Sequence, residues 1–114
     1  MLMEISVDEL MVFFVDTLQK CGLYLLEMND EDIEYNIFEE FDVSATSFLH
    51  DNTLSKLKEA DLINGNMSRK ASELRSRFIE LQDSDKWNVE SVRHDKKWRE
   101  ILELSDEIKS LLCQ

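Results

Sequence analysis

Proline is absent from the 114 residues, and glycine occurs only at Gly22 and Gly65. A β-sandwich or β-barrel needs many more turn-forming residues, so these folds are excluded. Two isolated glycines also exclude the glycine-rich loops that bind nucleotide phosphates. Leu, Glu, Lys, Asp and Ser dominate the composition instead, and such a composition favours helices. The sequence therefore predicts an all-α protein.

Cysteine is also scarce, with Cys21 and Cys113 as its two occurrences. Both lie in apolar helical contexts, and we interpret them as buried reduced thiols; spacing alone leaves a disulfide between them open. Without a dense cysteine framework, we expect a cytoplasmic protein. Acidic residues stand where a signal peptide has its basic region, so we expect no signal peptide. The longest apolar run, residues 10–15, has six members, too few to span a membrane.

Positive charge is nearly missing from the first half of the chain. Residues 1–50 contain twelve acids and one base, Lys20, whereas residues 51–114 contain thirteen acids and twelve bases. Most of the formal net charge of −12 therefore belongs to the first half. Such a field repels nucleic acid and anionic membranes, and it attracts a basic protein. Direct nucleic-acid binding is excluded because it requires a basic footprint.

Apolar periodicity predicts the helices. Ser6 and Glu9 form a capping box before the first helix, which should extend to about Lys20 and end at Gly22. The apolar residues 23–28 can continue this helix after a kink. That second helix covers about residues 30–41. Its apolar side chains follow a single stripe: Ile33, Ile37, Phe38 and Phe41.

Three further helical segments follow. The third covers about residues 44–61, with Ser44 as its candidate cap and a break near Asp51. The fourth covers about residues 67–83, and its apolar seam is Met67, Ala71, Leu74, Phe78 and Leu81. Residues 83–94 are interpreted as a connection. Asp95 should cap the last helix, at about residues 96–112, and the inner face of this helix is Trp98, Ile101, Leu102, Ser105, Ile108 and Leu112. Five helical segments with short connections predict one domain over residues 1–114, a compact antiparallel bundle.

Val12 and Val15 lie on the opposite side of the first helix from its main apolar face. Two interpretations stay open. A helix that is apolar nearly all round is usually central in its fold. Alternatively, the two valines form an intermolecular contact.

No catalytic or metal-binding motif is found. A calcium loop beginning at Asp30 would need Gly and Glu where Tyr35 and Phe41 stand. The Glu-x-x-His pairs of di-iron bundles and the Cys-x-x-Cys and His-Glu-x-x-His zinc motifs are absent. No serine or cysteine lies in a nucleophile motif. We expect a non-enzymatic protein without metal or cofactor, although catalysis by scattered residues stays open.

The stretch MNDEDIEYNIFEEFD, residues 28–42, contains seven acids and no base. Acids in the first turn stabilise the positive end of the helix dipole, which explains part of this charge. At about 100° per residue, Tyr35 points outward among the remaining carboxylates. A tyrosine among acids suits an interface with a basic partner. We name the predicted partner-binding residues the acidic surface: Glu31, Asp32, Glu34, Tyr35, Glu39 and Asp42.

A plainer interpretation of the acidic surface needs no function. Exposed helix faces are usually charged, and a single surface tyrosine is common. Here, however, the acids cluster without lysines four residues away, and their mutual repulsion costs stability. We therefore weigh the functional interpretation equally with the plain one.

Three stretches suggest a family. They are FEEFDVSATSFLH at 38–50, ELRSRFIELQ at 73–82 and WNVESVRHDKKWREILELSDEIKSLL at 87–112. With its size and charge, the chain resembles the small acidic, all-helical bacterial immunity proteins of contact-dependent growth inhibition and colicin-like toxin systems. The resemblance implies an antitoxin-like cytoplasmic inhibitor that binds a cognate toxin domain, often a nuclease, and blocks its active site or substrate access. It assigns no site residues.

A second function stays open beside this one. The chain would then be a non-enzymatic helical adaptor or regulatory protein that acts as a homodimer through Val12, Val15 and neighbouring apolar groups.

Overall fold

The structure is a computed structural model that describes residues 5–112. Its elements in chain order are α1 (Val7–Gln19), a 3₁₀ helix (Leu23–Glu27), α2 (Asp30–Ile33), a π-helix (Glu34–Phe41), α3 (Asp42–Phe48), α4 (Asp51–Glu59), α5 (Gly65–Gln82), α6 (Val89–His94) and α7 (Lys96–Leu112). The described part contains no strand. The predicted fold class, an all-α bundle, is confirmed. No helix among the described residues is both long and apolar enough to cross a membrane.

The first helix forms as predicted. Ser6 Oγ accepts a hydrogen bond from the Glu9 amide at 3.1 Å, which is the N-cap half of the predicted capping box, and it donates one to Glu9 Oε1 at 3.2 Å. Leu10, Phe14 and Leu18 are buried on the main face of α1. The helix packs against α3, α4 and α7, so it is central in the fold.

The chain after α1 turns at Gly22 under three side chains of α7. The Leu23 amide donates to Asp106 Oδ2 at 3.0 Å. Lys109 Nζ and Ser105 Oγ each donate to the Cys21 carbonyl oxygen at 2.8 Å. A Cβ at residue 22 would lie 2.5 Å from Asp106 Oδ1 and 2.8 Å from Lys109 Nζ. A side chain at residue 22 would therefore have to displace the ends of Asp106 and Lys109. Gly22 does not form the predicted left-handed C-cap, since its φ of 168° is extended.

Residues 30–48 form one uninterrupted helical rod composed of α2, the π-helix and α3. Its buried side chains recur at every fourth position. They are Ile33, Ile37, Phe41 and Ala45, with Leu49 just beyond the end. At 3.6 residues per turn a four-residue repeat drifts around an α-helix. The wider π-turns drift it in the opposite direction, so the combination of π-turns and α-turns keeps the repeat on one side. The π-helix is therefore the backbone geometry that buries this apolar pattern.

The prediction that a new helix begins at Ser44 is wrong. The rod continues through Ser44 to Phe48, because Ala45 and Leu49 extend the same buried row. The helix breaks between Phe48 and Asp51, close to the predicted break near Asp51. His50 then caps α4, because its Nδ1 accepts a hydrogen bond from the Asn52 amide at 3.1 Å.

The two longest helices, α5 and α7, pack extensively against each other. The predicted inner residues of α5 are all buried: Met67, Ala71, Leu74, Phe78 and Leu81. The predicted inner residues of α7 are buried as well, apart from the half-buried Leu112: Trp98, Ile101, Leu102, Ser105 and Ile108. An aromatic cluster joins these helices to the rod: Phe38, Phe41, Phe78, Trp87 and Trp98.

The interpretation of residues 83–94 as a plain connection is wrong for its second half. Asn88 Oδ1 accepts a hydrogen bond from the Ser91 amide at 2.8 Å and begins the six-residue helix α6. Val92 is its buried anchor. A helix this short carries too few periodic residues to be recognised from sequence.

Substitution of Gly22 by alanine should destabilise the protein by about 1–3 kcal/mol, because the methyl group displaces Asp106 and Lys109 from their hydrogen bonds. Urea unfolding followed by circular dichroism measures the change. Gly65→Ala is the matched control. A Cβ there meets nothing within 4 Å, so this variant should be stabilised by about 0.4–1 kcal/mol. Equal effects of the two variants would contradict the close approach at Gly22.

Cys21 is a free thiol and is fully buried, as predicted, whereas Cys113 lies outside the described residues. Burial raises the pKa of the Cys21 thiol from 9.0 to about 12, and the nearby Lys109 ammonium offsets part of this rise. A neutral thiol of this kind is chemically inert because the thiolate is the nucleophile.

In a Cys113→Ser variant, a thiol reagent at pH near 9.0 should label Cys21 only when the protein unfolds. The free energy of unfolding should also fall as pH rises from 9.0 to about 12, since only the unfolded chain ionises its thiol in that range. Unfolding curves at several pH values measure this decrease in the free energy of unfolding. A Cys21→Ala variant is the control, because it lacks the contribution of the Cys21 thiol. Rapid labelling in native buffer would contradict the burial.

Candidate functional site

The acidic surface lies on the rod formed by α2, the π-helix and α3. Four of its residues are exposed: Glu31, Glu34, Tyr35 and Glu39. Tyr35 keeps 51% of its surface in solvent although it is a large aromatic residue. On the other side of the same rod, Ile33, Ile37 and Phe41 are completely buried. The rod is therefore anchored firmly while it presents carboxylates and one aromatic ring.

The start of the rod is held by two residues outside the acidic surface. Asn29 Oδ1 accepts a hydrogen bond from the Asp32 amide at 2.8 Å, which caps α2. Arg93 of α6 donates to Asp30 Oδ1 through Nε at 3.0 Å and Nη2 at 2.8 Å. Nη2 also donates to the Met28 carbonyl oxygen at 2.7 Å. Arg93 thus ties the segment before α2 to α6, a contact 63 residues apart that no local sequence pattern reveals.

Tyr35 is oriented by Glu40, a residue outside the predicted acidic surface. The Tyr35 hydroxyl donates a short hydrogen bond to Glu40 Oε1. This bond, aided by the charges of Glu40 and Glu39, raises the pKa of the tyrosine hydroxyl above its usual value. The two residues are five apart, which is the spacing of the i to i+5 backbone hydrogen bonds of a π-helix. An angle of about 100° per residue, valid for an α-helix, could not place them together.

Asp42 is displaced from the predicted ring around Tyr35 for the same reason. Over the π-helix each residue advances by less than in an α-helix, so the error in direction accumulates before Asp42 is reached. Asp42 is half-buried, and its Oδ1 accepts a hydrogen bond from Gln82 Nε2 of α5 at 2.6 Å. Asp32 is half-buried as well. The predicted geometry is therefore corrected: Glu40 joins Tyr35, and Asp42 turns toward α5.

The charge asymmetry of the sequence is preserved in three dimensions. Six of the seven salt bridges in residues 5–112 join two residues of the second half of the chain. The seventh, between Asp30 and Arg93 at 2.8 Å, is the only one that involves an acid of the rod. The six other acids of residues 28–42 make no salt bridge within the described part. Their charge is thus not neutralised by a cation of the described chain.

The described residues do not bring three metal-ligating side chains together anywhere in residues 5–112. The acids of the rod are spread along its length, and Tyr35 has no histidine or lysine partner among its hydrogen bonds. The arrangement suits the recognition of positive charge by many carboxylates, with Tyr35 as an apolar contact among them.

No family model matches the chain, and no curated protein or solved structure is significantly similar to it.

The pairing of Tyr35 with Glu40 can be tested in a Tyr24→Phe background, where Tyr35 is the one titrating tyrosine. Glu40→Gln should lower the pKa of Tyr35 toward 10.0, because the charged acceptor is lost. Glu39→Gln should lower it less, since Glu39 acts only through its charge. Ultraviolet absorbance of the tyrosinate during a pH titration measures both. A larger effect of Glu39→Gln would indicate an ordinary α-helix and contradict the π-helix.

Proposed function

We propose that this protein is a non-enzymatic binding protein whose acidic surface captures a basic protein domain. The observation that carries the proposal is the exposed Tyr35, held by Glu40 among carboxylates that no cation of the described chain neutralises. Maintaining such unbalanced charge costs stability through self-repulsion. A basic partner would remove this cost on binding.

Each part of the surface has a physical role in this proposal. The carboxylates steer a cationic domain and raise its association rate, which falls as salt is added. Tyr35 supplies a large rigid contact of the kind that dominates binding energy at interfaces. Its hydrogen bond to Glu40 reduces the rotamers that binding must order. The π-helix itself supports a functional interpretation, because such turns are frequent at functional sites.

The class of partner follows from the charge and from the resemblance to bacterial immunity proteins. A nuclease has a basic cleft for nucleic acid. An acidic, pre-formed surface is complementary to such a cleft and would compete with the substrate. We therefore propose an immunity or antitoxin-like role in the cytoplasm, with a cognate toxin domain as the partner.

The second candidate function is the homodimeric adaptor. One observation favours it: Val12 keeps 58% of its surface exposed in the middle of α1. Val15 is half-buried and packs against the core. A homodimer through this face of α1 would bury that exposed aliphatic side chain.

The proposed role is tested with a basic toxin domain encoded next to this chain, which is the partner that the proposal predicts. The double variant Tyr35→Ala with Glu39→Lys should weaken binding by about 100-fold, since it removes the aromatic contact and reverses one charge. Isothermal titration calorimetry at low and high salt measures the affinity, and a nuclease assay measures the inhibition.

The matched control is Glu59→Lys, a charge reversal at an exposed acid at the end of α4. A lysine there suits the negative end of the helix dipole, so folding should be retained. We expect this variant to bind almost as the native protein does. Unchanged affinity of the double variant in low salt would show that the acidic surface is not the binding site.

A further inference from the structure

A second surface, separate from the acidic surface, lies along the exposed side of α1. It is an open groove of about 330 Å³ between α1 and the turn after α4. We name it the α1 groove, and it is lined by Asp8, Met11, Val12, Val15, Asp16 and Leu62. Three of the four apolar residues, Met11, Val15 and Leu62, are half-buried against the core. The fourth, Val12, has 58% of its surface exposed to solvent.

Every charged residue of the α1 groove is an acid. Asp8 and Asp16 are exposed, and neither forms a salt bridge within the described residues. They stand four residues before and four residues after Val12, on the same face of α1. The groove is thus an apolar strip with one negative charge toward each end. Eight residues of α-helix separate these charges by about 12 Å along the axis.

This charge pattern argues against a second copy of the chain as the occupant. A homodimer with two antiparallel α1 helices would have a two-fold axis at Val12. This axis would place each residue of one copy opposite the residue of the other copy that lies equally far from Val12 on its other side. Asp8 of one copy would then meet Asp16 of the other at both ends of the contact. Like charges in direct apposition are destabilising, and they select against the wrong partner.

A small-molecule site also fits poorly. Pockets that bind small ligands have volumes of about 300–1,000 Å³ and enclose most of the ligand surface. The α1 groove is at the lower limit of this range and is open to solvent. An open surface of this kind leaves room for a protein segment laid across it, as in the recognition of an amphipathic helix by a groove.

We infer that the α1 groove binds a helical segment of another protein that carries an aliphatic residue flanked by arginine or lysine about four residues away on each side. The aliphatic residue packs against Val12, Met11 and Val15. The two cations meet Asp8 and Asp16. This inference does not depend on the acidic surface, because the two sets of residues do not overlap.

The probe is an alanine-based helical peptide of about 16 residues, long enough to form helix. It has a central leucine and an arginine four residues away on each side. Binding is measured by fluorescence anisotropy of the labelled peptide at low salt. Val12→Ala should weaken it by about ten-fold, because buried methyl groups are lost. Asp16→Asn should weaken it by about two- to five-fold.

A charge exchange separates the specific contact from general attraction to an acidic protein. A peptide with glutamate in place of one arginine should bind the native protein more weakly and regain affinity with Asp16→Lys. Val43→Ala is the matched control for Val12→Ala, since Val43 is 71% exposed on α3. This control and the Tyr35→Ala, Glu39→Lys double variant should both bind the peptide like the native protein.

Several results would overturn the inference. They are absence of peptide binding, binding that Val12→Ala leaves unchanged, and equal binding of a peptide in which both arginines are glutamate. Light scattering at several protein concentrations supplies the last test. A dimer that Val12→Lys dissociates would identify a second copy as the occupant. None of these results depends on whether the acidic surface binds a toxin domain.

Discussion

The four-residue recurrence of buried side chains from Ile33 to Leu49 constrains the rest of the structure. An α-helix with that repeat would rotate its apolar row progressively away from the core. The backbone avoids this by adopting π-turns over Glu34–Phe41, so one long rod lies against α1 and joins the aromatic cluster with α5 and α7. The same turns set the direction of every exposed residue on the rod, which is why Tyr35 meets Glu40.

The molecule divides its charges between two regions with different roles. In the second half of the chain, acids and bases pair along and between α5 and α7 and between the two loops that flank α6, a stabilising arrangement with little net charge. In the rod, carboxylates accumulate, and Arg93 is the single cation that forms a salt bridge there within the described part. The remaining acids of the rod form no salt bridge within the described part, and we propose that a basic partner neutralises them.

Much of the fold followed from local patterns. The N-cap at Ser6, the stripe from Ile33 to Phe41 and the seams of α5 and α7 each depend on residues within a few turns of one another, and all are confirmed. The predictions that failed depended on distant contacts or on an unusual backbone. Ser44 resembles a cap, but Ala45 and Leu49 can be buried only if the rod continues.

Candidate residues of the site were predictable only in part, for a geometric reason. Composition and periodicity determined an all-α protein, a one-sign first half and an exposed Tyr35, because these properties belong to residue types and their spacing. The tertiary structure alone decided that Glu40 orients Tyr35 and that Asp42 turns to Gln82. It also decided that Arg93 holds the start of the rod and that Val12 lies in a groove between two acids. A sequence pattern assumes a regular helix, whereas packing against the core determines which kind of helix forms and which distant side chains reach it.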